Sequence, residues 1–252
     1  MKLSVCLPLF FKNMPLEKAV EQLSHLGYKY AEFWAMPKDT DIDAVCEACK
    51  NYGVTLVAMC PDKFTLTDSS LHDEYMESLE IACKRAKKLG ITRLITQVGN
   101  DTGKSREIQH SNIVTGIKRA VPILEKYGIT LVIEPLNTLV DHKGYYLVTS
   151  DEGFDIVREV NSDNVKLLFD IYHQQVSEGN VISNVINNLD LIGHLHAAGN
   201  PGRHELWQGE LNYSGIFEAI DNAGYDGFCA LEYKPTLEPT KSLTECKKRY
   251  MK

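Results

Sequence analysis

No stretch of this 252-residue chain approaches the roughly 18 consecutive apolar residues that a membrane helix requires. A basic stripe is missing too, since 27 Lys and Arg are scattered among 34 Asp and Glu. The formal net charge of -7 therefore argues against a nucleic-acid surface, because phosphate binding needs clustered positive charge. There is no G-x-G-x-x-G after the first strand-like run, which an open dinucleotide-binding sheet would carry. No Pro/Ser-rich linker divides the chain, and seven cysteines, an odd number, imply no disulfide framework. Cys46 and Cys49 form a lone C-x-x-C with no second pair to complete a zinc site, so they read as helix packing. The opening MKLSVCLPLFF lacks a small-residue cleavage site and is interrupted by Pro8, so it reads as a first strand rather than a secretion signal. With 44% hydrophobic and 24% charged residues, the expectation is a soluble, cytoplasmic protein of one domain, residues 1–252.

What the chain does have is a repeat. Strand-like apolar runs recur about every thirty residues, each followed by an amphipathic stretch, as in consecutive β-α units. Strands are expected over 3–8, 30–35, 55–60, 93–98, 130–134, 165–170, 191–198 and 227–233. Helices are expected over 16–26, 41–52, 71–89, 105–127, 150–160, 181–188 and 213–223, with a last basic helix after Thr240. Gly27, Gly53, Gly90 and Gly128 each stand where a helix must stop and turn into the next strand. Eight such units predict an α/β protein, a single (β/α)8 TIM barrel, in preference to an open doubly wound sheet.

Active sites of closed parallel barrels lie at the C-terminal ends of the strands, so polar residues that terminate apolar runs carry the information. Leu131-Val132-Ile133 runs into Glu134, Leu167-Leu168-Phe169 into Asp170, and Cys229-Ala230-Leu231 into Glu232. His194 and His196 lie on the seventh strand. Any one of these carboxylates alone reads as readily as a solvated loop start or a helix cap. Three converging carboxylates would repel one another and lose hydration, and a cation among Glu134, Asp170, His196 and Glu232 removes that difficulty. An oxygen-rich set with one imidazole suits Mn2+, Mg2+ or Co2+ rather than structural zinc. Arg203, in the glycine-rich loop after strand seven, and Lys234, two residues beyond Glu232, are candidates to clamp a substrate carboxylate. Pairing with acids such as Glu205 or Asp226 is the alternative for both. His173, just beyond strand six, either donates to a substrate oxygen or bonds loop backbone. Trp34 and Trp207 read as lining the mouth or an interface.

Four segments carry a resemblance. They are Ile133-Glu134-Pro135-Leu136-Asn137, Phe169-Asp170-Ile171-Tyr172-His173, His194-Leu195-His196 with Gly199-Asn200-Pro201-Gly202-Arg203-His204-Glu205, and Leu231-Glu232-Tyr233-Lys234-Pro235. Together they resemble the hydroxypyruvate isomerase branch of the xylose isomerase-like barrels. The resemblance spans nearly the whole chain and is strongest over 130–235, while Glu32 alone matches a family position in the first hundred residues. It implies that Glu134, Asp170, His196 and Glu232 are metal ligands and that Glu134 and Glu232 are the catalytic pair. It implies a 1,2-hydrogen shift in a small hydroxy-carbonyl substrate, hydroxypyruvate to tartronate semialdehyde, through a cis-enediolate. His196 stands where that branch tends to have glutamine and where ketose 3-epimerases have histidine. A 3-epimerase of the D-tagatose/D-psicose type is thus the alternative enzyme, with matching substrate contacts at His173 and Arg203. A non-catalytic sugar-acid binding barrel is the alternative outside enzymes. An endonuclease IV-like repair role shares the fold but implies three zinc ions and many more histidine ligands. Barrels of this superfamily are commonly dimers or tetramers, which implies a homo-oligomer.

Overall fold

In the computed structural model, which describes residues 1–37 and 39–251, eight parallel strands close into a barrel in sequence order. The first half comprises β1 (Lys2–Cys6), α1 (Leu7–Phe10), α2 (Leu16–His25), β2 (Tyr30–Glu32), α3 (Ile42–Tyr52), β3 (Thr55–Met59), α4 (His72–Leu89), β4 (Arg93–Thr96) and α5 (Arg106–Tyr127). The second half comprises β5 (Thr130–Ile133), α6 (Ser150–Val160), β6 (Val165–Asp170), α7 (Ile171–Ser177), α8 (Val181–Asn187), β7 (Ile192–Ala197), α9 (Tyr213–Asn222), β8 (Phe228–Leu231) and α10 (Pro239–Tyr250). The ring closes where β1 pairs with β8, from Lys2 opposite Phe228 to Val5 opposite Leu231. The α/β barrel expected from the repeat is the fold observed. Among the described residues no helix is long and apolar enough to cross a membrane.

Two apolar clusters follow from the alternation of strand side chains. Outward-facing residues such as Val5, Ala31, Leu94, Leu131, Leu167 and Leu195 pack with the buried faces of the helices in one continuous core. A smaller cluster of Val57, Ala58, Cys60, Ile95, Val132 and Leu168, joined by Tyr30 and Phe228, is separate from it. Val132, Leu168 and Tyr30 stand two residues before Glu134, Asp170 and Glu32, so alternation puts them on the same inner face, one layer below the polar strand ends. An apolar plug thus fills the barrel and leaves chemistry to its rim. Gly53, Gly90 and Gly128 cap α3, α4 and α5 in the left-handed region, with φ of 64, 71 and 66°, which a side chain would resist.

The strands stop earlier than the apolar runs suggest: β2 ends at Glu32, β4 at Thr96 and β8 at Leu231. α7 is not expected from the sequence at all. Its seven residues are too few to show helical periodicity, and its cap is Asp170, which the sequence offers equally as a ligand, a loop start or a cap. All seven cysteines are free, and Cys46 donates to the carbonyl of Lys88 at 3.4 Å, in keeping with helix packing.

Candidate active site

A closed parallel sheet delivers the last residue of every strand to one rim. The backbone N–H of Glu134 donates to Thr96 O at 3.1 Å, and that of Glu232 to Ala197 O at 3.0 Å, so each carboxylate sits one ladder step past its strand. Asp170 is the last residue of β6 and lies opposite His196 of β7 in register. One potential ligand atom from each of Glu134, Asp170, His196 and Glu232 falls within 4.8 Å of the others, and all four residues are buried.

His196 is the centre of this set. Its Nδ1 lies 3.5 Å from Glu134 Oε1 and 3.2 Å from Glu232 Oε2. Its Nε2 lies 2.9 Å from Glu32 Oε1, close enough to pair though not aligned as a hydrogen bond. Burial opposes charge on this ring, but Glu32 and Glu232 outweigh it and raise its pKa well above the ordinary histidine value. Burial likewise works to raise Glu32, yet His196 and His194 bring it down to about 2. Glu232 is also held low against its burial, first by His196 and then by Arg203. Asp170 goes the other way: burial pushes its carboxyl above the usual range despite the nearby Arg203.

Asp170 divides its two oxygens. Oδ1 accepts from the backbone N–H groups of Tyr172 at 2.8 Å and His173 at 3.1 Å, capping α7, while Oδ2 is buried with no hydrogen-bond partner. His196 Nδ1 is buried and unpaired in the same way. Unsatisfied buried atoms of this kind call for a partner. Three carboxylates and one imidazole form a donor set able to hold a divalent cation.

A cavity of about 290 Å³ opens onto the set, lined by Glu134, His173, Arg203 and Glu232 together with Trp34, Cys60, Phe64, Gln97, Leu136 and His142. A larger groove of about 760 Å³ shares Trp34 and Ala35 with it but touches none of the four clustered residues. Arg203 pairs with the Glu232 carboxylate, approaches Asp170 Oδ2 at 3.6 Å and lies over the Tyr172 ring. Its backbone is left-handed at φ 57°, a conformation that a non-glycine residue adopts only when its surroundings impose it. The loop is tied down next door by Glu205, fully buried, which accepts from Thr236 N, Leu237 N and Ser242 Oγ rather than pairing with Arg203 or Lys234.

His173 is buried with Nδ1 accepting from the backbone N–H of Asn137 at 3.2 Å and facing Asn137 Nδ2 at 2.6 Å. Asn137 Oδ1 already accepts from Val140 N and Asp141 N, so its amide must turn Nδ2 to the ring. The proton of the neutral ring therefore resides on Nε2, which has no protein hydrogen-bond partner, on a residue lining the cavity.

Lys234 requires a correction. Two-residue alternation put it beside Glu232, but β8 ends at Leu231 and alternation ceases to apply. The Lys234 side chain is exposed and does not line the cavity. Its main chain serves instead, donating to Arg203 O at 2.7 Å and accepting from His204 Nδ1 at 2.9 Å. Of the two tryptophans, Trp34 lines the cavity and donates Nε1–H to Glu232 Oε1 at 2.9 Å, whereas Trp207 stacks under Arg249.

Several lining or supporting residues escape the sequence reading. Gln97 follows the apolar run of β4 and donates to Glu134 Oε2 at 3.4 Å, so the rule that found the carboxylates would also have found it. Tyr145 donates to the carbonyl of Glu134 at 2.9 Å, and His142 lies 5.1 Å from His173, ring to ring. Both come from an irregular loop that gives no periodic signal.

The model of the xylose isomerase-like TIM barrel family matches residues 20–249. The chain belongs to this family. Within it, the chain is 29% identical over 260 residues to a protein of Escherichia coli named hydroxypyruvate isomerase, a match covering 100% of this chain and 98% of the relative. A protein of Cupriavidus necator named 2-oxo-tetronate isomerase is 46% identical over 108 residues, 43% of this chain and 41% of that one. A crystal structure described as AP endonuclease, family 2, from Brucella melitensis matches with a TM-score of 0.92 at 26% identity, covering 99% of this chain and 98% of the other.

Proposed function

We propose that this family member is an isomerase that moves a proton between adjacent carbons of a small 2-oxo acid, in the manner of hydroxypyruvate to tartronate semialdehyde. Glu134 and Glu232 are its proton carriers. The observation that carries this reading is a pair of buried carboxylates from β5 and β8 that line one cavity and lie within 3.5 Å of the same nitrogen, His196 Nδ1. The relatives named hydroxypyruvate isomerase and 2-oxo-tetronate isomerase support it by likeness.

Glu134, Asp170, His196 and Glu232 would hold the divalent cation, Mn2+, Mg2+ or Co2+, whose charge stabilises the oxygen that becomes negative as the enediolate forms. One glutamate, ionised, takes a C–H proton from the hydroxyl-bearing carbon, and the hydroxyl proton passes to the carbonyl oxygen. The other glutamate, protonated, delivers its own proton to the former carbonyl carbon, both carboxyls then re-equilibrating with solvent, a contribution of about 10²- to 10⁴-fold. His173 Nε2–H donates to a substrate oxygen, Arg203 faces the substrate carboxylate, and Trp34 fixes the Glu232 carboxylate. A cavity of about 290 Å³ suits a ligand of a few carbons.

Glu134→Gln and Glu232→Gln should each lower kcat on hydroxypyruvate by about 10²- to 10⁴-fold without loss of fold, while the wild type incorporates solvent deuterium next to the carbonyl. Turnover within about tenfold of wild type would remove that carboxylate from the proton path.

A second reading, a ketose 3-epimerase, is favoured by the outward position of Lys234. Arg203 is the one Lys or Arg among the described residues lining the cavity, and it is already paired with Glu232. A panel of hydroxypyruvate, fructose, tagatose and psicose separates the two enzymes, and tight binding without deuterium exchange would mark a binding barrel.

A further inference from the structure

Beside the four clustered residues lies a second buried group that the isomerase reading leaves without a task. Glu32, from β2, reaches across the barrel to β7, where its Oε2 accepts from His194 Nε2 at 2.7 Å and its Oε1 stands 2.9 Å from His196 Nε2. All three residues are at most 1% exposed. A carboxylate here is costly to desolvate unless it is paired and hydrogen-bonded, as Glu32 is by the two imidazoles. Glu32, His194 and His196 also bring one potential ligand atom each within 4.8 Å of one another, but Glu32 Oε2 is already engaged by a hydrogen bond from His194 Nε2.

We infer that Glu32 is a positioning residue for His196, anchored by His194, and that it selects Nδ1 as the nitrogen His196 offers to a cation. An imidazole has two nitrogens, and a neutral ring protonated on one keeps its lone pair on the other. The ionised Glu32 oxygen draws the proton to Nε2 by charge, although the two atoms are not collinear with the N–H bond. Nδ1 is then left facing Glu134 and Glu232. His194 holds the other Glu32 oxygen, so the carboxylate plane cannot turn away from His196. Partners of this kind, one bond removed from a ligand, set both ring orientation and ligand basicity.

The inference rests on the cation-binding part of the proposed function, and calorimetric titration of Mn2+ into chelator-treated protein tests the two separately. Wild type should bind Mn2+, and Glu32→Gln, nearly isosteric but uncharged, should bind it about 10- to 100-fold more weakly while still giving a cooperative melt and native circular dichroism in EDTA. His194→Gln should weaken binding in the same direction, and it carries the test if Glu32→Gln does not fold. Glu32→Asp, which restores the charge, should recover part of the loss. Wild-type affinity in Glu32→Gln and His194→Gln would overturn the positioning role while leaving the cation reading intact. A wild type that binds no Mn2+ would overturn both.

Discussion

His196 and His173 are buried on the same rim, a few ångströms from the same carboxylates, and their protonation is driven in opposite directions. Burial disfavours the charged form of both rings. Around His196 the carboxylates of Glu32 and Glu232 overcome that penalty, whereas at His173 burial prevails, Arg203 adds to it, and the pKa falls to about 3. The Asn137 donors fix which nitrogen of His173 keeps its proton. Depth alone therefore says little about a buried histidine. The sign of the charge within a few ångströms decides whether it serves as a cation, a ligand or a neutral donor.

Removing each ring should break the contrast most visibly. In metal-free protein His196→Ala leaves Glu32, Glu134 and Glu232 without their shared positive partner and should lose roughly 3–5 kcal/mol of stability in urea unfolding. His173→Ala leaves only neutral donors of Asn137 unpaired and should lose about 1–3 kcal/mol. Equal losses would mean that the carboxylates around His196 are neutralised by some other group.

Stability against pH sharpens the same comparison. The folded-state pKa of His173 is depressed, so its contribution is present above the unfolded value of 6.5 and is lost as the pH falls from there toward about 3. That of His196 is raised, so in metal-free protein its contribution is full below 6.5 and is lost as the pH climbs through the raised value. His173→Gln should flatten the acid side of the profile and His196→Gln the alkaline side, measured by urea midpoints. The smallest effect belongs to Lys234→Ala, which should change kcat/KM on hydroxypyruvate by no more than about twofold, as for an ordinary surface site. A loss beyond about tenfold would bring Lys234 back into the site.

The barrel was legible because its signals are periodic and repeated: eight apolar runs, and helix ends marked by Gly53, Gly90 and Gly128. The cluster was legible for a related reason, since Glu134, Asp170 and Glu232 each interrupt an apolar strand at its end. Glu32 is the last residue of a strand only three residues long, and nothing local says that it meets two histidines of β7. Contacts across a closed sheet, 162 residues apart for Glu32 and His194, leave no trace in spacing. Lys234 failed because alternation is a property of paired strand and stops with the last ladder bond. His142 and Tyr145 sit in a loop whose shape comes from hydrogen bonds rather than pattern. Asp170 reads in sequence either as a ligand or as a helix cap, since the two look the same there; in the structure one oxygen caps α7 and the other is left without a hydrogen bond.

That double capacity has a mechanical consequence. One oxygen of Asp170 grips the first turn of α7 and the other is turned toward the cluster, so the carboxyl is a rigid lever between them. A cation drawing Oδ2 inward would pull through the same carboxyl on the first turn of α7, which carries His173. The neutral ring of His173 and the charged cluster are thereby joined through a single side chain.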